Sequence, residues 1–124
     1  MTDETAAARC REAISAYMKA FNERDMDALG ALLADDVTLV DWEVSATGKA
    51  AVLATTEKIV SGAEVSLVTH RVLVDLPHAV ADLTVSVDGK PALSVVDLFE
   101  FTPDGRIASV RAFRGPDLKG AAPG

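Results

Sequence analysis

Two long alternating segments joined by a hairpin signal constrain the fold of this chain more than any other feature. His78 to Val87 alternates apolar and polar residues, and Asp88-Gly89 is a strong signal for a tight β-turn. Lys90 to Phe101 then predicts the returning strand. Because Ala63 to Leu76 and Arg106 to Arg114 are also rich in β-formers, the second half of the chain predicts an antiparallel meander.

The first half of the chain has the periodicity of helices. From Asp3 to Asn22 the apolar residues recur on one helical stripe, formed by Cys10, Ile14, Tyr17, Met18 and Phe21. Asp25 can cap a second, short helix, and Lys49 to Val60 predicts a third. Between these helices Val37 to Val44 has a period of two, which predicts a strand.

Helices followed by long strands predict an α+β domain. We expect three N-terminal helices packed in a curved, mainly antiparallel sheet that forms a conical pocket, with no parallel crossover. Prolines and glycines between Gly115 and Gly124 indicate a frayed end. We therefore place a single domain at residues 1–117 and a flexible tail at residues 118–124.

Charge and motif content exclude several classes of partner. Among 124 residues, 12 Lys and Arg face 19 Asp and Glu, and this net charge of −7 argues against nucleic acid and anionic membranes. One cysteine cannot form an internal disulfide, and no signal-peptide pattern opens the chain, so we expect a cytoplasmic protein. His70 and His78 lack a third residue at metal spacing, and no phosphate loop or dinucleotide motif occurs. We expect no metal and no cofactor.

Asp97 is the most informative exception to the pattern. Strict alternation places it in the row Leu93, Val95, Asp97, Phe99 and Phe101, which is otherwise apolar. A carboxyl group in such a row either keeps its proton or pairs with a cation. A structural alternative is a carboxyl bonded to a backbone donor or to an arginine such as Arg111.

Asp41 and Tyr17 are the other candidate site residues. Asp41 shares its predicted strand face with Val37 and Leu39, at the end where a pocket mouth would lie. It could instead cap the loop that follows. Tyr17 lies on the apolar stripe of the first helix and needs a hydrogen-bond partner if its hydroxyl points inward, although most such tyrosines are core residues.

Three segments of the chain together resemble the bacterial Δ5-3-ketosteroid isomerases. They are Tyr17 to Asp25, Ala34 to Asp41, and Val96 to Phe101 together with Asp104 to Ile107 and Val110 to Phe113. The resemblance spans residues 10 to 116 and places the chain in the nuclear-transport-factor-2-like, or SnoaL-like, superfamily with its cystatin-like fold. It implies a cofactor-independent isomerase of a small hydrophobic, steroid-like ketone.

The same resemblance implies a role for each candidate residue. Asp41 matches the general base, while Tyr17 and a protonated Asp97 match the two donors that hold the oxyanion. We further predict that three aromatic residues contact the substrate, namely Trp42, Phe99 and Phe113.

Some positions depart from the isomerase pattern. Thr55 and Thr56 replace an aromatic pair, Arg114 replaces an aromatic residue, and Trp42 replaces a proline. Arg114 could even pair with Asp97. These departures leave open a SnoaL-like cyclase, dehydratase or epoxide hydrolase acting on another small hydrophobic substrate, or a non-catalytic ligand-binding module.

A homodimer is expected for any of these functions. Sheets of this superfamily commonly pair through their outer faces, and the predicted outer face of one strand is apolar at Ala92, Val96 and Leu98.

Overall fold

Six strands form one curved sheet, with the helices packed on its concave side. The computed structural model describes residues 3–118. In that range the elements are α1 (Asp3–Glu23), α2 (Met26–Ala31), β1 (Leu33–Val40), β2 (Ser45–Thr47), α3 (Lys49–Gly62), β3 (Val65–Asp75), β4 (His78–Val87), β5 (Lys90–Phe101) and β6 (Ile107–Asp117). The strand order is β2-β1-β6-β5-β4-β3. The predicted α+β class with N-terminal helices and a curved sheet is confirmed.

The apolar stripe of α1 forms much of the core. All five predicted stripe residues are buried, and Ile14 is 1% exposed. The Asp25 carboxylate accepts a hydrogen bond from the Ala28 N–H at 3.0 Å, which caps α2 as its sequence predicts. Because α1 packs against β3, its stripe closes the concave side of the sheet.

The hairpin of β4 and β5 has the bounds that its alternation predicts. Asp88 and Gly89 both have positive φ, 53° and 80°, which suits a two-residue turn between twisted strands. Leu83 pairs with Val95 and Ala81 pairs with Asp97, so the inward residues of the two strands share one face. Asp97 is therefore placed on the concave face.

The edges of the sheet differ from the prediction. β1 begins at Leu33 rather than Val37 because Leu33 is fully buried opposite Ile107. β1 pairs with β6 in parallel, so the expectation of a sheet without a parallel connection is wrong. The three-residue β2 was also missed, because so short a segment has too few residues for a period to show.

The last strand runs further than predicted. β6 continues to Asp117, where Leu93 is its partner, instead of ending at Arg114. Gly115 permits this because a Cβ there would lie 3.1 Å from the Ser94 carbonyl oxygen. Residues 119–124 lie outside the described part of the chain, so the flexible tail stays a prediction.

Candidate active site

A cavity of about 140 Å³ lies between the C-terminal half of α1, α3 and the concave face of the sheet. Its lining is mostly apolar, with polar groups contributed by Tyr17, Asp41, Thr56 and Asp97. A larger depression of about 520 Å³ lies near the other end of α1. Its acidic groups, Glu100 and Asp104, are largely exposed, so we take the smaller cavity as the candidate site.

The Asp97 carboxyl is buried in an apolar row, as its alternation predicts. Asp97 is 6% exposed between Val95 and Phe99, which are 3% and 0% exposed. Burial, followed by the negative charge of Asp41, raises the pKa of Asp97 to about 7. Near neutral pH a substantial fraction of this carboxyl group therefore carries a proton and can donate a hydrogen bond.

Tyr17 supplies a second donor in the same cavity. Its ring packs edge-on against Phe99, with centroids 5.4 Å apart and an interplanar angle of 85°. Burial, together with the charge of Asp97, raises the pKa of the Tyr17 hydroxyl. The hydroxyl consequently keeps its proton at neutral pH.

Both donors open on the cavity. Among residues 3–118, no hydrogen bond joins the Tyr17 hydroxyl or the Asp97 carboxyl to another side chain or to the backbone. No fully enclosed polar side-chain atom in this range lacks a partner, so both groups must touch open space. Both residues line the same cavity, which leaves their hydrogen-bonding capacity for a ligand.

Asp41 follows the end of β1 at the cavity mouth. Its Oδ1 accepts hydrogen bonds from the backbone N–H groups of Glu43 and Val44, each at 2.7 Å, and its own N–H donates to the Val44 carbonyl at 2.9 Å. The loop-capping alternative is therefore correct, and the same capping fixes the carboxylate beside the cavity.

The sheet register relates the two carboxylates to each other. Val40 and Leu98 both pair with Arg111, from β1 and β5 respectively. One residue further, Asp97 pairs with Ala112, and Asp41 follows Val40 on the other side of β6. With strands about 4.8 Å apart, the two backbones stand roughly 10 Å from each other with Ala112 between them.

The predicted aromatic contacts divide into three cases. Trp42 lines the cavity and is 42% exposed at its mouth. Phe99 is fully buried behind Tyr17 and forms part of the core instead of the cavity wall. Phe113 pairs with Val96 on the outer face of the sheet and lies outside the cavity lining, but it lines the neighbouring groove, so its predicted contact with a substrate stays a prediction.

Neither nearby arginine neutralises Asp97. Arg111 lies over the Phe113 ring on the outer face, 5.2 Å from its centroid. Arg114 forms an ion pair with Asp117, and its guanidinium lies 6.0 Å from the centroid of Trp42. The cation-paired alternative for Asp97 is therefore wrong.

Thr56 is a polar cavity residue, although its sequence position predicts only a departure from the isomerase pattern. It is 2% exposed, and its hydroxyl donates to the Val52 carbonyl at 2.9 Å. The stripe Val52, Thr56 and Val60 carried the signal, since a polar residue interrupts an apolar helical row there as Asp97 does on β5.

The family of the chain follows from its sequence match. A model described as a SnoaL-like domain matches residues 14–110, which include Tyr17, Asp41 and Asp97. The chain belongs to this family. No curated protein matches the sequence.

Solved structures share the fold of this SnoaL-like domain. A proposed ketosteroid isomerase from Kribbella flavida has a TM-score of 0.79 and 24% identity over 89% of this chain and 80% of that one. A proposed polyketide cyclase from Sinorhizobium meliloti has a TM-score of 0.75 and 25% identity over 82% and 93%. An LEH-like epoxide hydrolase from M. tuberculosis has a TM-score of 0.75 and 19% identity over 88% and 84%.

These neighbours carry different activities in their names, so the shared fold does not select one reaction. The predicted SnoaL-like membership is confirmed, whereas the choice of reaction depends on the residues of the cavity. Within residues 3–118, no helix has the length and apolar character needed to cross a membrane. The same range holds no cluster of three or more His, Cys, Asp or Glu residues able to bind a metal ion.

Proposed function

We propose that this SnoaL-like domain is a cofactor-independent isomerase that moves a carbon–carbon double bond into conjugation with a ketone. The Δ5-to-Δ4 conversion of a 3-oxo-steroid is the reference reaction. One observation carries the proposal: a buried carboxyl group with its pKa raised to about 7 shares an open cavity with a buried tyrosine and a second carboxylate.

In the proposed reaction Asp41 acts as the proton shuttle. Its carboxylate removes a proton from the carbon between the carbonyl and the double bond, and the electron pair moves onto the carbonyl oxygen to give a dienolate. The protonated Asp41 then returns the proton to the far carbon of the former double bond, which completes the shift without an oxidant or cofactor. General-base catalysis of this kind contributes about 10²–10⁴ in rate.

Tyr17 and protonated Asp97 stabilise the dienolate oxygen by donating hydrogen bonds. Such donors act most strongly in a cavity that excludes water, and this cavity is lined mainly by aliphatic side chains. A carboxylate at position 97 could only accept hydrogen bonds, so the raised pKa is what makes Asp97 suitable for the role.

An enone assay tests the proposal. Incubation with 5-androstene-3,17-dione should raise the ultraviolet absorbance of the conjugated product, and Asp41→Asn should lower kcat by about 10²–10⁴ because the base is lost. Asp36→Asn, which changes an exposed carboxylate in the middle of β1, the strand that leads to Asp41, is the matched control and should retain full activity. An inactive wild-type protein, or an Asp41→Asn variant as fast as the wild type, would contradict the proposal.

A second candidate is acid–base chemistry on a smaller substrate, as in a cyclase, dehydratase or epoxide hydrolase. The cavity volume of about 140 Å³ favours it, because ligand sites usually measure about 300–1,000 Å³. A thermal-shift screen separates the two candidates. Stabilisation by small polar cyclic compounds and not by steroids would favour the second candidate, and the reverse result would favour the isomerase.

A further inference from the structure

A groove of about 390 Å³ adjoins the mouth of the cavity. It shares Asp41, Trp42 and Ala112 with the cavity lining, so the two spaces meet at the proposed proton shuttle. A molecule that places its carbonyl between Tyr17 and Asp97 and extends past Asp41 would enter this groove. Its far end would then contact residues that the isomerase chemistry does not use.

The groove is lined by two cations in a chain whose net charge is −7. They are Arg111 and Arg114, and Asp41 is the single carboxylate of the lining. Arg114 pairs with Val95 in the sheet register, which places it on the cavity side of β6. Arg111 pairs with Leu98 and lines the groove from the outer face of β6. It forms no ion pair with any residue from 3 to 118 and lies over the Phe113 ring.

The Arg114 guanidinium is available to a ligand. Its partner Asp117 uses one Nη atom, and the side chains of the pair are 41% and 64% exposed. An ion pair this exposed stabilises the protein little, and a guanidinium has five N–H donors, so a ligand carboxylate can share or replace Asp117. The ring of Trp42 below the guanidinium limits the directions in which it can point.

We propose that the substrate of this site is an amphipathic ketone carrying an anionic group, a carboxylate or a sulfate, at the end remote from the carbonyl, and that Arg114, assisted by Arg111, binds that group in the groove. This inference rests on the proposed function, because the orientation of the substrate follows from the oxyanion donors. It also accounts for the small volume of the inner cavity, which then holds only the reacting end.

Three aromatic probes test the inference through binding. 2-Naphthol places a hydroxyl where the dienolate oxygen would lie, 6-hydroxy-2-naphthoate adds a carboxylate at the opposite end, and its methyl ester keeps the shape without the charge. We expect the acid to bind about tenfold more tightly than the ester, since charge-assisted hydrogen bonds are the stronger kind. Quenching of naphthol fluorescence gives each Kd.

Variants identify the group that recognises the charge. Arg114→Gln should remove most of the preference for the acid and leave the Kd of 2-naphthol unchanged, and Arg111→Gln should reduce the preference in part. Arg106→Gln is the matched control, because this arginine pairs with Asp104 in the turn before β6. Tyr17→Phe should weaken the binding of the acid and of the ester by the same factor. This result would show that both probes enter the cavity with the hydroxyl first.

The results distinguish two failures. If 2-naphthol binds in a Tyr17-dependent way but the acid and the ester bind equally, the anionic-substrate inference is wrong and the proposed function stands. An acid preference that survives both Arg111→Gln and Arg114→Gln overturns the inference in the same way. If no probe binds, the oxyanion site itself is wrong, and both proposals fall.

Discussion

Asp97 combines two properties that rarely occur in one carboxyl group. It is 6% exposed, yet it has no hydrogen bond to any residue between 3 and 118 and borders the cavity. A structural carboxyl group of similar burial is normally satisfied by protein donors. Its partner is therefore expected to be a ligand, and its chemistry depends on whether the proton is present.

Activity should depend on pH through this proton. Because the pKa of Asp97 is raised to about 7, its hydrogen-bond donor is lost as pH rises through that value, and kcat/KM for the enone reaction should fall above it. Asp97→Asn keeps a donor that does not titrate, so its profile should lack this alkaline decline. Asp97→Ala, which has no donor, should be slow at every pH. A decline of the same shape in Asp97→Asn would assign it to another group.

The Tyr17 hydroxyl should contribute to the transition state without contributing much to folding. Tyr17→Phe keeps the ring against Phe99 and removes one donor, so kcat should fall by about 10²–10³. The melting temperature should stay close to that of the wild type, because the hydroxyl has no hydrogen bond to residues 3–118. A large loss of stability with little change in kcat would make Tyr17 a core residue only.

For single residues, the sequence predicts well where a polar residue interrupts an apolar row. It predicts poorly which aromatic residues face the cavity. Asp97 could be located from alternation, since a carboxyl group among aliphatic residues stands out. Asp41 could not, because β1 ends at Val40 instead of the predicted Val44 and Asp41 caps the turn that follows. Phe113 could not, because β6 has apolar residues on both faces and alternation alone does not say which face is concave. Phe99 shares a face with Asp97 but lies behind Tyr17, and only the packing of α1 determines that.

Between elements, Asn22 joins the end of α1 to the edge strand β3. Its Nδ2 donates to the Leu67 carbonyl at 2.9 Å, and its Oδ1 accepts from the Leu67 N–H at 2.8 Å. The side chain thus supplies both hydrogen bonds that a further strand would have given Leu67. Leu67 also lines the cavity, so this contact positions one of its walls.

Removing this contact should destabilise the protein measurably. Asn22→Ala leaves two partly buried backbone groups without partners and should lower the free energy of unfolding by about 1–3 kcal/mol in a urea titration. Asn22→Asp keeps the hydrogen-bond acceptor, so its free energy of unfolding should fall by less. The neighbouring exposed residue provides the control, and Glu23→Ala should change stability little. Equal stability of Asn22→Ala and Glu23→Ala would show that the contact is replaced by solvent.

The elements that the sequence predicts best are the strands with the longest uninterrupted alternation of apolar and polar residues. β4 and β5 have the predicted bounds because ten and twelve residues repeat one alternation between clear turn signals. The parallel pairing of β1 with β6 could not be predicted, since it joins segments about 70 residues apart and no local residue pattern encodes such a partner. The bulge between Leu33 and Thr38 hid the start of β1 in the same way.

For the molecule as a whole, the buried Asp97 carboxyl should couple stability to pH. Its pKa rises from 3.8 in the unfolded chain to about 7 in the folded one, so the folded state binds the proton more tightly. Ionisation of Asp97 therefore lowers the free energy of unfolding. This loss is absent below about pH 4, grows as pH rises, and is complete above about pH 7, where it is on the order of 4 kcal/mol.

The sign of that coupling can be measured with one variant. Asp97→Asn should become more stable than the wild type as pH rises from 4 to 7, and the difference in the free energy of unfolding should level off above pH 7. Asp75→Asn, at the exposed end of β3, serves as the control and should track the wild type. A constant difference between Asp97→Asn and the wild type across this range would contradict the raised pKa.

The expected homodimer stays a prediction, and the structure specifies the surface to test. Val40, Val96 and Phe113 are 41%, 37% and 47% exposed on the outer side of β1, β5 and β6. Sedimentation should show a dimer for the wild type and a monomer for Val96→Lys. The proposed groove shares Val40 and Phe113 with this surface, whereas Val96 lies outside its lining, so Val96→Lys tests the dimer without changing a groove residue. A monomeric wild type at micromolar concentration would contradict the expectation.

The position of Ala112 on the strand between the two acids sets what can lie over the sheet there. Among residues 3–118, the register places its methyl group between Asp41 and Asp97, so a flat substrate of the proposed reaction would rest on it. Larger residues at this position would lift such a molecule away from one acid or the other. The size of the side chain at position 112 would therefore set how thick a molecule can be and still reach both carboxyl groups, without moving either of them.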